Sequence, residues 1–348
     1  MRVHDLALIG FGGVNQALAA LIARSSHRFE RLGFRPQVTA VVDQRYGTLV
    51  RPEGIDLHEL LARPGTSGFA GMPGGSAVVR TEEVIRTGGA GVIVEATTTD
   101  AVDGEPAASH VRWALERGAN VATTNKGPIA WHGAELRALA AERGAVLSYE
   151  GTVMSGTPLL GLARRELAGS EIHAFEGILN GTSNHVLQRM AHGASLDDAI
   201  AEAQRLGYAE ADPTADLNGS DVQLKVAILA SETLGGALLP SEVDVTGIGD
   251  LGPDEVARAA LEGFRVKLVG SARRHPDGSI AGSVGVRRLA PEHPLAGVPG
   301  AENAVTLETD LLGALTVRGP GAGRVETAAA LVSDLIRIDR AVSVRSRR

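Results

Sequence analysis

Apolar positions along this chain follow two rhythms. Up to about residue 150, short solid apolar runs alternate with stretches of helical period. VHDLALI (3–9) ends in Gly10-Phe11-Gly12-Gly13-Val14-Asn15 and passes into QALAALIARSS. Residues 37–42 form a second run, which ends at Asp43. GVIVEATT (91–98), NVATTNKGP (120–128, ending in a polar turn) and AVLSYEG (145–151) follow, with helices beginning at Pro106 and spanning 131–143 between them. Solid runs of this length are strands buried on both faces. Strands alternating with helices predict a mainly parallel sheet with right-handed crossovers. The expected fold class is α/β, a Rossmann-like doubly wound sheet. Residues 62–76 (ARPGTSGFAGMPGGS) break the rhythm and predict an irregular surface excursion.

Beyond residue 150 the alternation stops. A helix at 157–168, the strand HAFEGILNG (173–181) and longer amphipathic helices predict a second, α+β domain. The boundary falls near 150–157, giving a first domain over 1–150 and a second over 151–323. RVETAAALVSDLIRI, starting at Arg324, is again an apolar-faced helix, and residues 324–340 are expected to return and complete the first domain.

Composition narrows the class. The 348 residues leave room for two such domains. A net charge of −7, from 41 acidic against 34 basic residues, argues against a nucleic-acid partner. No apolar run approaches the roughly 18–20 residues of a membrane span. The chain opens on a strand rather than a signal peptide, so a cytoplasmic enzyme is expected. The absence of cysteine excludes disulfides, thiolate metal sites and any thiol nucleophile, and with them the aldehyde dehydrogenases that pass through a thiohemiacetal. The histidines have no metal-pair spacing, and no transition-metal site is expected.

The chemistry collects at strand ends and in one acidic segment. Gly10-x-Gly12, after a strand and before a helix, supplies a tight turn and lets backbone approach a pyrophosphate at a helix N-terminus. Asn15 stands where the usual third glycine would be. Asp43 ends the second strand, where a carboxylate would accept bonds from ribose hydroxyls and favour NAD; Arg45, two residues on, would instead meet a 2′-phosphate. Thr97 and Asn125-Lys126 sit at the carboxyl ends of parallel strands, where ligands bind in doubly wound sheets. Gly127-Pro128 is read as stopping the strand and aiming Lys126 into the crevice. Glu210, Asp212 and Asp216 form an acidic loop suited to holding a substrate ammonium. Asp221 and Lys225 follow, four residues apart on a helix face shared with Val222 and Leu229. This is the arrangement of a half-buried lysine with a tunable proton, a general acid/base at an alcohol or carbonyl oxygen. Each of these acids also has a plainer reading as a solvated loop carboxylate, and the Asp221–Lys225 pair as a surface salt bridge. Asn180-Gly181-Thr182-Ser183-Asn184 starts a helix whose backbone amides would receive a carboxylate, with Ser183 as a good N-cap. Glu150, followed by GTVMSGTP, would offer oxygens to a hard cation.

Together these tracts resemble homoserine dehydrogenase. The run Ala203-x3-Gly207-Tyr208-Ala209-Glu210-Ala211-Asp212-Pro213-x2-Asp216-Leu217-x-Gly219-x-Asp221-x3-Lys225 follows that family's signature. GFGGV, TTNKGP (123–128), YEGTVMSGTP (149–158), GILNGTSNHVL (177–187) and GPGAG (319–323) are similar to the family too, so the likeness covers nearly the whole chain. The resemblance implies reversible NAD(P)-dependent interconversion of L-homoserine and L-aspartate 4-semialdehyde, in the pathway to threonine, methionine and isoleucine. It implies Lys225 as proton donor with Asp221 beside it, and Lys126 touching cofactor and substrate. Glu210, Asp216, Tyr208, Thr182 and Gly181 would bind substrate. Gly10, Gly12, Gly13, Val14, Asp43, Arg45, Thr97 and Gly321 would meet NAD or NADP. Glu150 with the carbonyls of Val153, Ser155 and Thr157 would match a structural sodium site. The second domain would carry catalysis and dimerisation, in a homodimer with the strands around 280–318 as candidate interface.

Three departures accompany the likeness. Asn15 replaces a glycine, the chain after GPGAG leaves no room for a regulatory domain or for threonine feedback through one, and Asp43 with Arg45 leaves NAD against NADP open. Two other readings stand beside it. One is a dehydrogenase of another small amino or hydroxy acid. The other is a catalytically silent dinucleotide sensor, against which the intact Asp221–Lys225 pair speaks.

Overall fold

The computed structural model describes residues 1–62 and 68–345, and the chain divides into two compact units. One is Met1–Thr152 together with the segment from Gly323 onward; the other is Val153–Ala322. No helix among the described residues is long and apolar enough to cross a membrane.

The first unit is built on a seven-stranded sheet. Its strands are β1 (Arg2–Ile9), β2 (Phe34–Asp43), β3 (Gly47–Val50), β4 (Gly75–Ser76), β5 (Val92–Glu95), β6 (Asn120–Thr123) and β7 (Leu147–Ser148), in the order β4-β3-β2-β1-β5-β6-β7. The stretch from β2 to β7 is parallel, and β3 and β4 add an antiparallel edge. The chain leaves β1 for β2 on one side and returns to β5 on the other. The carboxyl end of β1 is therefore the topological switch point, the place where such sheets open a crevice. Leu6, Leu8, Val41 and Val94 of the sheet share a core with Leu18 and Ile22 of the helix Gly13–Arg24. Ala328, Leu331, Leu335 and Ile338 of the helix Arg324–Arg345 join the same core, and the two helices pack on each other.

Two expectations change here. Lys126-Gly127-Pro128 does not end a strand in a turn. β6 stops at Thr123, and the helix Lys126–Glu142 begins five residues before the expected 131. Pro128 sits in the first helical turn, where its missing N–H costs nothing, and Asn125 caps the helix by accepting from the Gly127 amide. The expected surface excursion over 62–76 is also partly core. Residues 63–67 lie outside the described residues, but Phe69 is buried, edge-on to Phe11 and against Tyr46.

The second unit holds a six-stranded sheet of β8 (Ile172–Ile178), β9 (Val243–Val245), β10 (Arg265–Arg274), β11 (Ile280–Leu289), β12 (Glu302–Thr309) and β13 (Gly313–Pro320), ordered β13-β12-β8-β10-β11-β9. All pairings are antiparallel except β9 with β11. The helix Ser220–Thr233 lies close on one face. A Cβ placed on Gly270 would come within 2.6 Å of Val226 and 2.8 Å of Val222, and one on Gly282 within 2.7 Å of Leu238. Glycine at 270 is what lets the helix settle, and glycine at 282 makes room for Leu238 beyond the helix's end. The opposite face carries a polar row across five strands: Ser283, Ser271, Glu176, Thr306 and Thr316. Ser271 bonds Ser283 at 3.1 Å and Thr306 bonds Thr316 at 2.9 Å.

In the first unit, Asp339 ties the long helix Arg324–Arg345 to β1. Arg2 donates to both its oxygens, at 2.8 and 2.7 Å, and His4 Nε2 lies 2.8 Å from Oδ1. Burial pushes the Asp339 carboxyl up, but the Arg2 and His4 bonds outweigh it and hold the group below the usual carboxylate range. A depressed carboxylate contributes stability above its unfolded value, about 3.9, and loses it as pH falls through the lower folded value. At about 1.5–3 kcal/mol for hydrogen bonds to a charge, Asp339→Asn should lower the melting temperature by roughly 3–10 °C at pH 7. Melting curves of the two proteins should converge below about pH 3; a gap that stays constant down to that pH would remove Asp339 as the cause.

Candidate active site

In the first unit the site is assembled at the switch point. Gly10 has a φ of 78°, and a Cβ on it would lie 2.8 Å from the Ala96 carbonyl oxygen, so only glycine fits the turn. Gly12 precedes the helix Gly13–Arg24 with no side-chain cap and with open space where a Cβ would be. The first amides of that helix are thus left for an anion. Val14 packs into the core behind the turn. The stem of Arg324 crosses Gly13 so closely that a Cβ there would meet Arg324 Nε at 2.6 Å. A cation at the positive end of a helix is unfavourable unless an anion joins it. Arg324 was not among the residues expected from the sequence; the only signal is a basic residue directly after GPGAG.

Asn15, the departure from the glycine pattern, is fully buried. Its Nδ2 donates back to the carbonyls of Gly10 at 2.6 Å and Ile9 at 3.3 Å, so it fastens the turn from beneath. Asp43 fastens it from the side: Oδ2 accepts from the Phe11 amide at 2.7 Å and Oδ1 from the Arg45 amide at 2.8 Å. Asp43 is therefore a structural acceptor first, with lone pairs left over for a hydroxyl. The Arg45 side chain is exposed, its Nε 3.8 Å from Asp43 Oδ1 and its guanidinium over the Tyr46 ring.

The ends of β5 and β6 are stitched together. Fully buried Glu95 accepts from the Thr97 amide at 3.1 Å, from the Thr97 hydroxyl, and from Thr123 Oγ1 at 3.1 Å. Asn125 Nδ2 reaches the Thr97 carbonyl and hydroxyl, each at 3.3 Å. Thr97 is held from both sides, and half-buried Lys126 follows directly from Asn125 as the first residue of its helix.

In the second unit one cluster gathers two acids of the acidic segment, Asp216 and Asp221. Val222 and Val226 anchor the helix Ser220–Thr233 on the sheet, which leaves Asp221 and Lys225 on the adjacent row. Lys225 is buried, and its Nζ donates to Asp221 Oδ2 and to the Leu179 carbonyl, each at 2.6 Å. An ammonium has three donors, so one remains for a substrate oxygen. Asn180 Nδ2 donates to Asp216 Oδ1 at 2.6 Å and to Asp221 Oδ2 at 3.0 Å, while its Oδ1 caps the helix Gly181–Ala191 through the Ser183 amide at 2.8 Å. Burial raises the Asp216 carboxyl above its ordinary value, the Asp221 charge adds to this, and the Asn180 and Thr182 bonds oppose it.

The remaining expected residues divide. Thr182 donates to the Tyr208 carbonyl at 2.7 Å, and the exposed Tyr208 ring meets the His185 edge 5.2 Å away. Glu210 is exposed. Its backbone carbonyl accepts from Gln204, and no bond among the described residues draws its carboxylate into the cluster. Asp212 serves a local turn, accepting from the Thr214 amide at 3.0 Å and hydroxyl at 2.5 Å. Gly321 is sterically required, since a Cβ there would overlap buried Asn303. Glu150 is buried in the first unit; Val153, Ser155 and Thr157 are buried in the second. Met154 and Ser155 are consecutive non-glycine residues at φ 58° and 51°, a costly backbone that its surroundings must hold.

The profile of the homoserine dehydrogenase family matches residues 158–336. The chain is 52% identical, over 97% of each sequence, to an NAD(+)-dependent homoserine dehydrogenase of Pseudomonas canavaninivorans. Among solved structures it resembles a homoserine dehydrogenase of Thiobacillus denitrificans, with a TM-score of 0.85, 31% identity, 99% of this chain and 75% of that one. It also resembles a hyperthermophilic archaeal homoserine dehydrogenase in complex with NADPH, with a TM-score of 0.83, 31% identity, and coverage of 97% and 98%.

Asn15 makes the glycine turn testable in isolation. Two lost hydrogen bonds at about 0.5–1.5 kcal/mol each predict that Asn15→Ala weakens NADH binding by roughly five- to a hundredfold, read by titration of NADH fluorescence. An unchanged dissociation constant would mean that the glycines alone set the turn.

Proposed function

Because the chain belongs to the homoserine dehydrogenase family, we infer that it interconverts L-homoserine and L-aspartate 4-semialdehyde with NAD(P), and that Lys225 is the group that moves the proton. The reaction belongs to the biosynthesis of the aspartate-derived amino acids. The observation that carries the assignment of Lys225 is its burial against Asp221 with two of its three donors already engaged.

NAD(P)+, when bound, takes up as hydride the hydrogen of the carbon that bears the hydroxyl. The first unit fits that group: uncapped helix amides after Gly12, Arg324 across Gly13, and Thr97 and Lys126 at neighbouring strand ends, with Gly10 and Val14 shaping the turn. Gly321, in the second unit, is assigned to the same cofactor. On the substrate side, the Lys225 ammonium gives a proton to the aldehyde oxygen in the reductive direction; in the oxidative direction Lys225 first releases that proton and, as the neutral amine, takes the hydroxyl proton as the carbonyl forms. Glu210 and Asp216 hold the ammonium, aided by Tyr208 and Thr182. The start of the helix Gly181–Ala191 receives the carboxylate. No thiol is required, and the chain has none.

Three finer assignments go with this reading. NAD is the preferred cofactor, because the buried Asp43 carboxylate would repel a 2′-phosphate. A sodium ion suits the all-oxygen set of Glu150 with the carbonyls of Val153, Ser155 and Thr157. Two copies of the chain pair through the open polar sheet face of β8 and β10 to β13, a contact that sedimentation would read as a dimer.

Lys225→Ala should lower turnover of homoserine by at least about a hundredfold, the scale of a general acid, with NADH affinity nearly unchanged; normal turnover would end its assignment. For cofactor choice, Asp43→Ala is a poor probe, since it also frees the Phe11 amide and should weaken both cofactors. Arg45→Ala touches only an exposed side chain. Homoserine oxidation measured with NAD and NADP side by side should give a higher kcat/KM for NAD, and Arg45→Ala should reduce only the NADP value. An NADP preference in the unaltered protein would reverse the assignment.

A further inference from the structure

Asn180 was expected only as part of a helix start, yet its side chain is the centre of the acidic cluster. Its amide nitrogen has two hydrogens, and each is spent on a different carboxylate: Asp216 Oδ1 at 2.6 Å and Asp221 Oδ2 at 3.0 Å. The amide oxygen faces the other way, accepting from the Ser183 N–H at 2.8 Å. This network fixes the amide's orientation, because a flipped group would set its oxygen against two carboxylates and its NH2 against a donor. Asp221 Oδ2 also takes the Lys225 ammonium at 2.6 Å. One carboxylate oxygen is thus shared between the lysine and the asparagine. Asn180 is buried, so water does not substitute freely for its donors.

We infer that Asn180 is a positioning residue for the proton transfer: its amide bridges Asp216 and Asp221, keeps two neighbouring acids apart and ionised, and limits how tightly Asp221 holds the Lys225 proton. Two carboxylates that share a site without a donor between them repel, and one takes up a proton. Burial and the Asp221 charge already push the Asp216 carboxyl upward, and the Asn180 bond is the first of the contacts opposing them. With Asn180 in place, Asp216 stays an anion for the substrate ammonium while Asp221 stays an anion for Lys225. Without it, Asp221 Oδ2 loses the amide donor at 3.0 Å and grips the Lys225 proton more firmly. The inference rests on the reading of Lys225 as the proton-moving group.

The cap and the bridge separate by substitution. Asn180→Ser retains an oxygen that caps a helix well but has no NH2 to span two acids. Asn180→Asp retains cap and size but adds a third carboxylate. In the full-length protein, Asn180→Ser should leave the melting temperature within about 2 °C and NADH affinity unchanged. It should lower kcat for homoserine oxidation at least about tenfold and move the rising limb of the pH profile to higher pH. Asn180→Asp should lose more, with a higher KM for homoserine as Asp216 protonates. Full activity in both variants, or a loss that follows the melting temperature with an unmoved pH profile, would reduce Asn180 to a helix cap and overturn the inference. Lys225→Ala separates the two levels. Its inactivity beside a fully active Asn180→Ser overturns only the bridge, whereas its full activity overturns the reading of Lys225 and the bridge with it.

Discussion

The second unit depends on how closely one helix can approach its sheet. The helix Ser220–Thr233 meets β10 at Gly270 and β11 near Gly282, and the space a Cβ would need at Gly270 is filled by Val222 and Val226. Burying such side chains stabilises by about 1.5–3 kcal/mol each, enough to hold the helix at one height. Asp221 and Lys225 ride on the neighbouring row of the same helix. Their bonds to Asn180 and Leu179 close at 2.6 to 3.0 Å only at that height. Hydrogen bonds weaken steeply with distance and angle, so a helix lifted by one methyl group would lose them. An absent side chain on the sheet thus sets the reach of Asp221 and Lys225 on the helix.

The first unit meets a comparable demand by other means. Its glycine turn is open on the outside, at the uncapped helix start after Gly12, and yet rigid. Gly12 and Gly10 provide openness and curvature; Asn15 from beneath and Asp43 from the side provide rigidity, each through bonds to backbone. The missing third glycine is therefore a change in how the turn is fastened. Glu95 does similar work one strand over, drawing Thr97 and Thr123 together beneath the strand ends.

The sequence carried the first unit's parallel alternation of strands and helices, because solid apolar runs, glycine turns and alternation are local signals; the strand order and the antiparallel edge of β3 and β4 were not in it. It also put Asp221 and Lys225 on one helix face, since a spacing of four needs no tertiary knowledge. What it could not carry were facts that depend on partners distant in the chain. Asp43 reads as a free strand-end acid until Phe11, 32 residues away, is seen to occupy it. Glu210 and Asp216 look equivalent in the acidic run, yet only Asp216 is bonded into the cluster, through an asparagine 36 residues earlier. Pro128 was misread because proline interrupts a strand and equally opens a helix. Asn125, three residues before it, decides between the two by capping.

The Asp339 clasp has a consequence in time rather than space. The second unit is a continuous segment, whereas the first is interrupted by it and closed by the helix Arg324–Arg345. Ribosomes deliver the chain in order, so β1 to β7 emerge with the places of Leu331, Leu335 and Ile338 unfilled. The second unit can fold while the first still waits for its closing helix. A nascent chain is therefore most vulnerable to aggregation or proteolysis in its earliest-made part, and that vulnerability ends when Arg2 meets Asp339, a partner translated more than three hundred residues later.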